Sequence, residues 1–243
     1  MTPRILFAVT GRVLVQLRRD RPTLAMLLVL PCLLITLLWW MFEDTPTFDS
    51  VGPALLAMFP FIVMFLVTSV TTLRERSSGT LERLLAMPMG KLDFLLGYGV
   101  AFGAVAAVQS ALAVALSVGW LGLDVQGPVW LLTVVAVVDA VLGSALGLLV
   151  SAFAQTEFQA VQFMPLLVIP QILLCGLFVA RDDLPEVLSA ISDVLPLSYA
   201  VEAMQTLTRT ADTADVWTDL AVVAAFAVGA LALGAATLRR RTP

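Results

Sequence analysis

No histidine occurs anywhere in the 243 residues, and lysine occurs once, at position 91. The first absence removes the usual general base, the commonest zinc ligand and the Ser-His-Asp arrangement together. The second bears on nucleotides: a loop of the form GxxxxGK followed by Ser or Thr needs its lysine on the phosphates. Lys91 stands in Met89-Gly90-Lys91-Leu92, with neither the earlier glycine nor the hydroxyl, so the chain offers no nucleotide-hydrolysing loop of its own. Cysteine is scarce too. Cys32 and Cys175 both lie inside apolar runs and read as buried small hydrophobes rather than a disulfide. Charge is the largest deficit: 13% of residues are charged and 60% are hydrophobic, where a soluble domain sits near half apolar and about a quarter charged. That balance leaves no room for a separate water-soluble domain, and the bilayer is the expected solvent.

What is present is a series of long uncharged runs. A helix needs about 20 apolar residues to cross the hydrocarbon core. Six segments qualify, over 23–42, 52–73, 92–120, 129–154, 159–180 and 216–238. Arginine and lysine set the orientation. Arg4, Arg12, Arg18, Arg19 and Arg21 precede the first span, and Arg74, Arg76, Arg83 and Lys91 lie between the second and third. Arg239, Arg240 and Arg241 follow the sixth, so 12 of the 14 basic residues fall on one side. That side is read as the cytoplasm, with both termini there. The opposite loops hold Glu43, Asp44, Asp49, Asp124 and a dense acidic set from Asp182 to Asp219. The first apolar run is too long for a cleaved signal peptide, and EDTPTFD after it has no small-x-small cleavage site. Ahead of it, 4–19 predicts an amphipathic interfacial helix, in preference to a plain basic tail that serves only orientation. Leu6, Val9, Val13, Leu14 and Leu17 share one face, and Arg4, Arg12, Arg18 and Arg19 face anionic head groups, with Val15 as an exception.

Residues 73–90, LRERSSGTLERLLAMPMG, set a charged patch between two apolar spans. Gly79 suits a helix N-cap, and Glu82 in the first turn is favoured by the helix dipole. Leu81, Leu84 and Leu85 fall on one face, and Pro88 and Gly90 end the element. A short amphipathic helix over 79–87 has two readings from its residues: a turn lying on its own membrane domain, or a helix docking into a groove on a soluble partner.

ERSSGTLERLLAMPMG resembles the motif after the second span of ABC-2 type permeases, the membrane subunits of ATP-binding-cassette exporters, including drug-resistance permeases of this size. A second block at 173–207, LLCGLFVARDDLPEVLSAISDVLPLSYAVEAMQTL, is similar to that family's segment between spans five and six. The likeness covers essentially the whole chain, as a single domain over 1–243. It departs in one place: family members often carry an arginine soon after the proline-containing turn, and here Arg209 comes a little later. The resemblance implies an all-α membrane protein of six transmembrane helices, with an amphipathic interfacial helix, a cytoplasmic coupling helix and an outer re-entrant hairpin over 183–209. It implies that Glu75, Gly79, Thr80, Leu81, Glu82, Leu84 and Leu85 contact the nucleotide-binding ATPase subunit. It implies two copies of that subunit, ATP and Mg held there and none on this chain, and a second permease as homodimer or heterodimer. Spans one, two and five become the pathway walls. Membrane lipid is a further partner, and nucleic acid is not expected.

Within the outer segment, Leu184, Leu188, Ile191 and Leu195 repeat at helical spacing, Pro196 breaks the pattern, and Tyr199 to Leu207 resumes it. Pro185 and Pro196 thus frame two short helices, and spacing alone leaves them re-entrant or interfacial; the resemblance implies the former. Span five contains Pro165 and Pro170, so a kink or interruption is expected. Asp139 lies mid-span, an expensive place for a carboxylate; it reads as a helix-interface residue ahead of a coupling or cation site. Gly143 with Gly147, and Gly99 with Gly103, form GxxxG pairs expected to pack closely. Gln109, Gln159, Gln162 and Gln171 are candidate pathway residues, and interhelical hydrogen bonding explains them equally well.

Three functions compete. The first is the permease subunit of an exporter for an amphiphile, a drug or antibiotic ahead of a lipid, glycolipid or polysaccharide. An intramembrane enzyme is disfavoured, since Asp139 is the one deep carboxylate and no histidine is present. A secondary transporter working without ATP would favour inverted repeats, and residues 1–120 and 121–243 show no convincing repeat.

Overall fold

The computed structural model describes residues 3–42, 47–77 and 91–237. Among the described residues there are helices and no strand. The helix expected over 79–87, with Gly79, Thr80, Leu81, Glu82, Leu84 and Leu85, lies outside them.

α1 (Pro3–Arg19) passes into α2 (Arg21–Met41) through one residue, Asp20. Its carboxylate accepts the Thr23 backbone N–H at 3.2 Å and the Thr23 hydroxyl at 2.7 Å, which satisfies a donor the first helical turn leaves open. α3 (Thr47–Ser77), α4 (Lys91–Gly119), α5 (Val129–Phe153) and α6 (Glu157–Leu174) follow. After a 3-10 turn at Arg181–Asp183 come α7 (Glu186–Ser192), α8 (Pro196–Arg209) and α9 (Ala214–Thr237).

Among the described residues, six helices are long and apolar enough to cross a membrane: Arg21–Met41, Thr47–Glu75, Leu96–Gly119, Val129–Phe153, Glu157–Leu174 and Ala214–Gly234. They correspond to the six expected spans, with bounds that differ by up to six residues. α6 ends at Leu174 rather than near 180, because Gly176 takes φ 89°, a left-handed conformation open to glycine and incompatible with helix. Of the kink or interruption expected at Pro165 and Pro170, the interruption is absent; α6 runs through both, as α2 does through Pro31 and α3 through Pro53 and Pro60. Each proline removes one ladder bond, and neighbouring helices and local adjustment tolerate the loss in spanning helices.

α3 and α5 make the centre. Their most apolar stretches are 67% and 61% buried, against 17% in both α2 and α6. Glycine lets the central pair touch. A Cβ at Gly143 would strike the Phe61 carbonyl, and one at Gly147 would lie 2.5 Å from the Phe65 carbonyl oxygen. The matching order of these contacts shows that the two helices run parallel, as the second and fourth of alternating spans must. The other pair is looser: a Cβ at Gly103 would lie 3.7 Å from Val141, and one at Gly99 3.9 Å from Leu231, ordinary van der Waals distances.

α1 departs from the expected membrane-lying helix. Val9, Val13 and Leu17 are buried in one cluster with Leu27 of α2 and Tyr98, Ala101 and Phe102 of α4. Its apolar face therefore sits on protein, and the Thr10 hydroxyl donates to the Gly97 carbonyl at 3.1 Å. Arg12, expected to face head groups, turns inward.

The two ends of the bundle differ. One carries α1, the end of α3 and the start of α4. The other carries the α7–α8 hairpin and all five tryptophans, since Trp39, Trp40, Trp120, Trp130 and Trp217 close or open four different helices there. Trp130 and Trp217 sit 6.2 Å apart between ring centroids, and Trp120 is 81% exposed. Such a belt marks a membrane–water boundary.

Candidate functional site

A cavity of about 330 Å³ opens at the α1 end. α1 supplies Val13, Gln16 and Leu17; the α1–α2 corner supplies Asp20, Thr23 and Met26; α3 supplies Leu66, Val67, Val70, Thr71, Arg74 and Glu75; α4 and α6 add Phe102 and Val161. The body is apolar and the rim polar. Helical spacing produces this: Leu66, Val67 and Val70 form one stripe of α3, and Thr71 and Arg74 continue it toward the helix end.

Two ion pairs brace the rim. Arg12 Nη2 lies 2.8 Å from Glu75 Oε2 and donates to the Tyr98 hydroxyl at 2.6 Å. Glu75 is 5% exposed and Tyr98 is fully buried, so this bracket ties α1 to the end of α3 and the start of α4, on either side of residues 78–90. The Glu75 carboxylate, one of the residues expected to contact an ATPase subunit, has Arg12 as a partner within the chain. On the other wall, Arg74 grips Glu157 of α6 with a two-pronged contact, Nε at 3.1 Å and Nη2 at 3.2 Å.

The glutamines singled out from sequence do not line this cavity. Gln159 accepts the Gln155 N–H at 2.8 Å, closing the turn before α6, and Gln162 is exposed. Gln171 is buried; it donates to the Leu167 carbonyl and accepts the Leu197 N–H at 3.3 Å, capping α8. Gln109 and Asp139 are both fully buried, and neither the amide nor the carboxylate has a hydrogen-bond partner among the described residues.

The hairpin end holds a second constellation. α7 and α8 meet at 89°. Leu184 closes the 3-10 turn, Pro185 leads into α7, Leu188 is 38% exposed on it, and Pro196 opens α8, buried. The Ser192 hydroxyl donates to the Leu174 carbonyl at 2.9 Å, and the Tyr199 hydroxyl to the Asp193 carbonyl at 2.8 Å. Arg181 pairs with Glu202 and, at 2.6 Å, with Asp193, its guanidinium 4.9 Å above the Tyr199 ring. Burial works against its charge, but Glu202, Asp193 and Tyr199 outweigh that and push its pKa up. The residues fasten the 176–183 loop to the hairpin.

Among the described residues no group of His, Cys, Asp or Glu is arranged to hold a metal ion. An apolar cavity between helices, its rim braced by ion pairs, suits binding of a molecule with an apolar surface. A profile of the ABC-2 type transporter family matches residues 4–207. The chain belongs to that family. "Probable multidrug ABC transporter permease YbhR" of Escherichia coli K12 is 28% identical over 149 residues, 61% of this chain and 40% of that one. "Probable multidrug ABC transporter permease YbhS" of the same strain is 25% identical over 156 residues, 64% and 41% of the two chains. "ABC transporter G family member 20" of Dictyostelium discoideum is 24% identical over 157 residues, covering 65% of this chain and 22% of its own length. This ABC-2 type chain thus spans about two fifths of the bacterial permeases it matches.

The tryptophan belt and Asp20 escaped the reading of the sequence. Both left a signal: tryptophans at the ends of apolar runs, and Asp20-Arg21-Pro22-Thr23 as an N-cap with proline in the first turn.

Proposed function

We propose that this ABC-2 type chain is the transmembrane permease subunit of an exporter, moving an amphiphilic drug or antibiotic outward across the bacterial plasma membrane. The observation that carries this is the cavity's position. Its walls include parts of α2, α3 and α6, spans one, two and five, which the resemblance assigns to the pathway, beside residues of α1 and α4, and Glu75 at its rim stands three residues before 78–90. The α1 end is the cytoplasmic face and holds both termini; the hairpin end faces out and dips back toward the membrane.

ATP with Mg is bound and hydrolysed on a separate nucleotide-binding subunit, two copies of which engage two permease chains. Gly79 to Leu85 form the contact. The Arg12–Glu75–Tyr98 bracket carries displacement of that contact into α1, α3 and α4. The free energy comes from contacts that differ between nucleotide-bound and nucleotide-free subunits. A drug as cargo, ahead of a lipid or polysaccharide, is supported by the names of YbhR and YbhS.

The test is co-purification with an ATPase chain encoded beside it, before and after Glu82→Arg and Leu85→Asp. Loss of the complex, or of permease-dependent hydrolysis, is expected. If both variants bind and stimulate the ATPase as the parent does, the docking assignment is wrong.

A further inference from the structure

We propose that the first half of α6, residues 157–164, is a hinged door on the cavity, swinging about Pro165 and Pro170 and latched by Arg74 and Glu157. This rests on the exporter reading above and names the part of the chain that widens the cavity for cargo.

The two halves of α6 are held differently. The second half is anchored: Val168 is fully buried, the Gln171 side chain accepts the Leu197 N–H at 3.3 Å, and the Leu174 carbonyl accepts the Ser192 hydroxyl at 2.9 Å. In 157–164 only Ala160 is buried, in a small cluster with Leu73, Ala154 and the partly buried Phe163. The fork from Arg74 to Glu157 adds a polar hold, and its side chains are 62% and 47% exposed. An ion pair so open to water contributes little. In the Arg12–Glu75 pair, by contrast, the glutamate side chain is 6% exposed. That pair is lasting bracing, and the Arg74–Glu157 pair is weak enough to open in each cycle.

Between the halves stand Pro165 and Pro170. Pro165 cannot donate to the Val161 carbonyl, nor Pro170 to that of Leu166, so two rungs of the helical ladder are missing there. The first turn supports itself: the Thr156 hydroxyl accepts the Gln159 N–H at 3.1 Å, and Gln159 Oε1 accepts the Gln155 N–H at 2.8 Å, a reciprocal cap of the capping-box kind. The half can therefore move as a rod. Opening strands neither charge. Glu157 sits in the first turn of α6, where the helix dipole favours a carboxylate. Arg74 keeps Asp20, which lies close enough to act on it electrostatically. Val161, carried on this half, lines the cavity. Moving it out enlarges a volume of about 330 Å³, which lies at the small end of ligand cavities, about 300–1,000 Å³. Arg74 occupies the last turn of α3, beside 78–90, so displacement of that segment reaches the latch directly.

Spin-label distances test the idea on the purified chain in phosphatidylcholine nanodiscs, with Cys32→Ala and Cys175→Ala in the background. One label pair joins the door to α9, at Phe158→Cys and Leu233→Cys, positions 72% and 60% exposed. The control pair, Leu173→Cys with Leu233→Cys, starts from the anchored half at a residue 54% exposed. Glu157→Gln should raise a second, displaced Phe158–Leu233 population about fivefold, the ratio set by an ion pair at the upper end of the exposed range. The Leu173–Leu233 distribution should stay unchanged. Adding Pro165→Ala and Pro170→Ala, which restores both rungs, should shrink the displaced population back toward the parent. Identical Phe158–Leu233 distributions in parent and Glu157→Gln, an equal shift at Leu173, or a displaced population that the proline changes do not reduce would overturn the proposal. Failure of the exporter reading is separable: the door would still answer to Glu157→Gln in the chain alone, with no ATPase partner able to drive transport.

Discussion

Replacing Glu75 by Gln keeps the side chain's shape and removes its charge, leaving Arg12 without its ion partner at the end of α3. Exposed ion pairs contribute about 0–1 kcal/mol, whereas breaking a fully buried pair costs about 3–5 kcal/mol. This pair lies between those limits, because the Glu75 side chain is 6% exposed and that of Arg12 is 32% exposed. The single change should therefore destabilise by about 2–3 kcal/mol, the uncompensated guanidinium supplying most of it. Arg12→Gln should cost a similar amount. The double variant should cost well under the sum, with a coupling energy of about 1–3 kcal/mol. Equilibrium unfolding in mixed micelles, followed by tryptophan fluorescence, measures all four corners, since the five tryptophans lie at the opposite end and are untouched. Additivity of the two single changes within about 0.5 kcal/mol would refute the bracket and with it the mechanical link from α1 to the segment after α3.

Gly143→Ala places a methyl group against the Phe61 carbonyl and should destabilise by about 1–3 kcal/mol through forced separation of α3 and α5. Gly99→Ala, with only a distant leucine nearby, should change stability by less than about 1 kcal/mol; the same unfolding assay separates them. Arg181→Gln loses two carboxylate contacts and the stack on Tyr199, a loss of about 1–2 kcal/mol for a cluster whose acidic members are half exposed. Hydrogen exchange should then quicken across 186–199 with α9 unchanged. Asp139→Val should hold or raise the thermal midpoint, because a buried carboxylate without a partner among the described residues is unfavourable where it stands. A fall of several degrees would instead reveal a role for the carboxylate.

The spans were legible because nothing competes with a long uncharged run as a signal in this composition. Their packing was not. α1 shows why: its period separated Val9, Val13 and Leu17 from the arginines, but a 3.6-residue stripe looks the same whether it rests on lipid or on α4. Arg12 and Glu75 stand 63 positions apart, so each was read by its local surroundings, one as a head-group contact and the other as part of the docking motif. Pro165 and Pro170 weigh as helix breakers in water and less in a spanning helix. The cavity was invisible for a similar reason. It collects residues from five helices, and Asp20 at its corner presents in sequence as a residue within a basic run.

The central claim is that a separate ATP-hydrolysing chain works this one through residues 78–90. Proteoliposomes holding the permease alone, or the permease with its ATPase, should be assayed for transport of a panel of amphiphilic antibiotics under either ATP or an imposed ion gradient. Transport only with both chains and ATP, abolished by Leu85→Asp, is the result predicted. Transport by the permease alone, driven by the ion gradient, would contradict it.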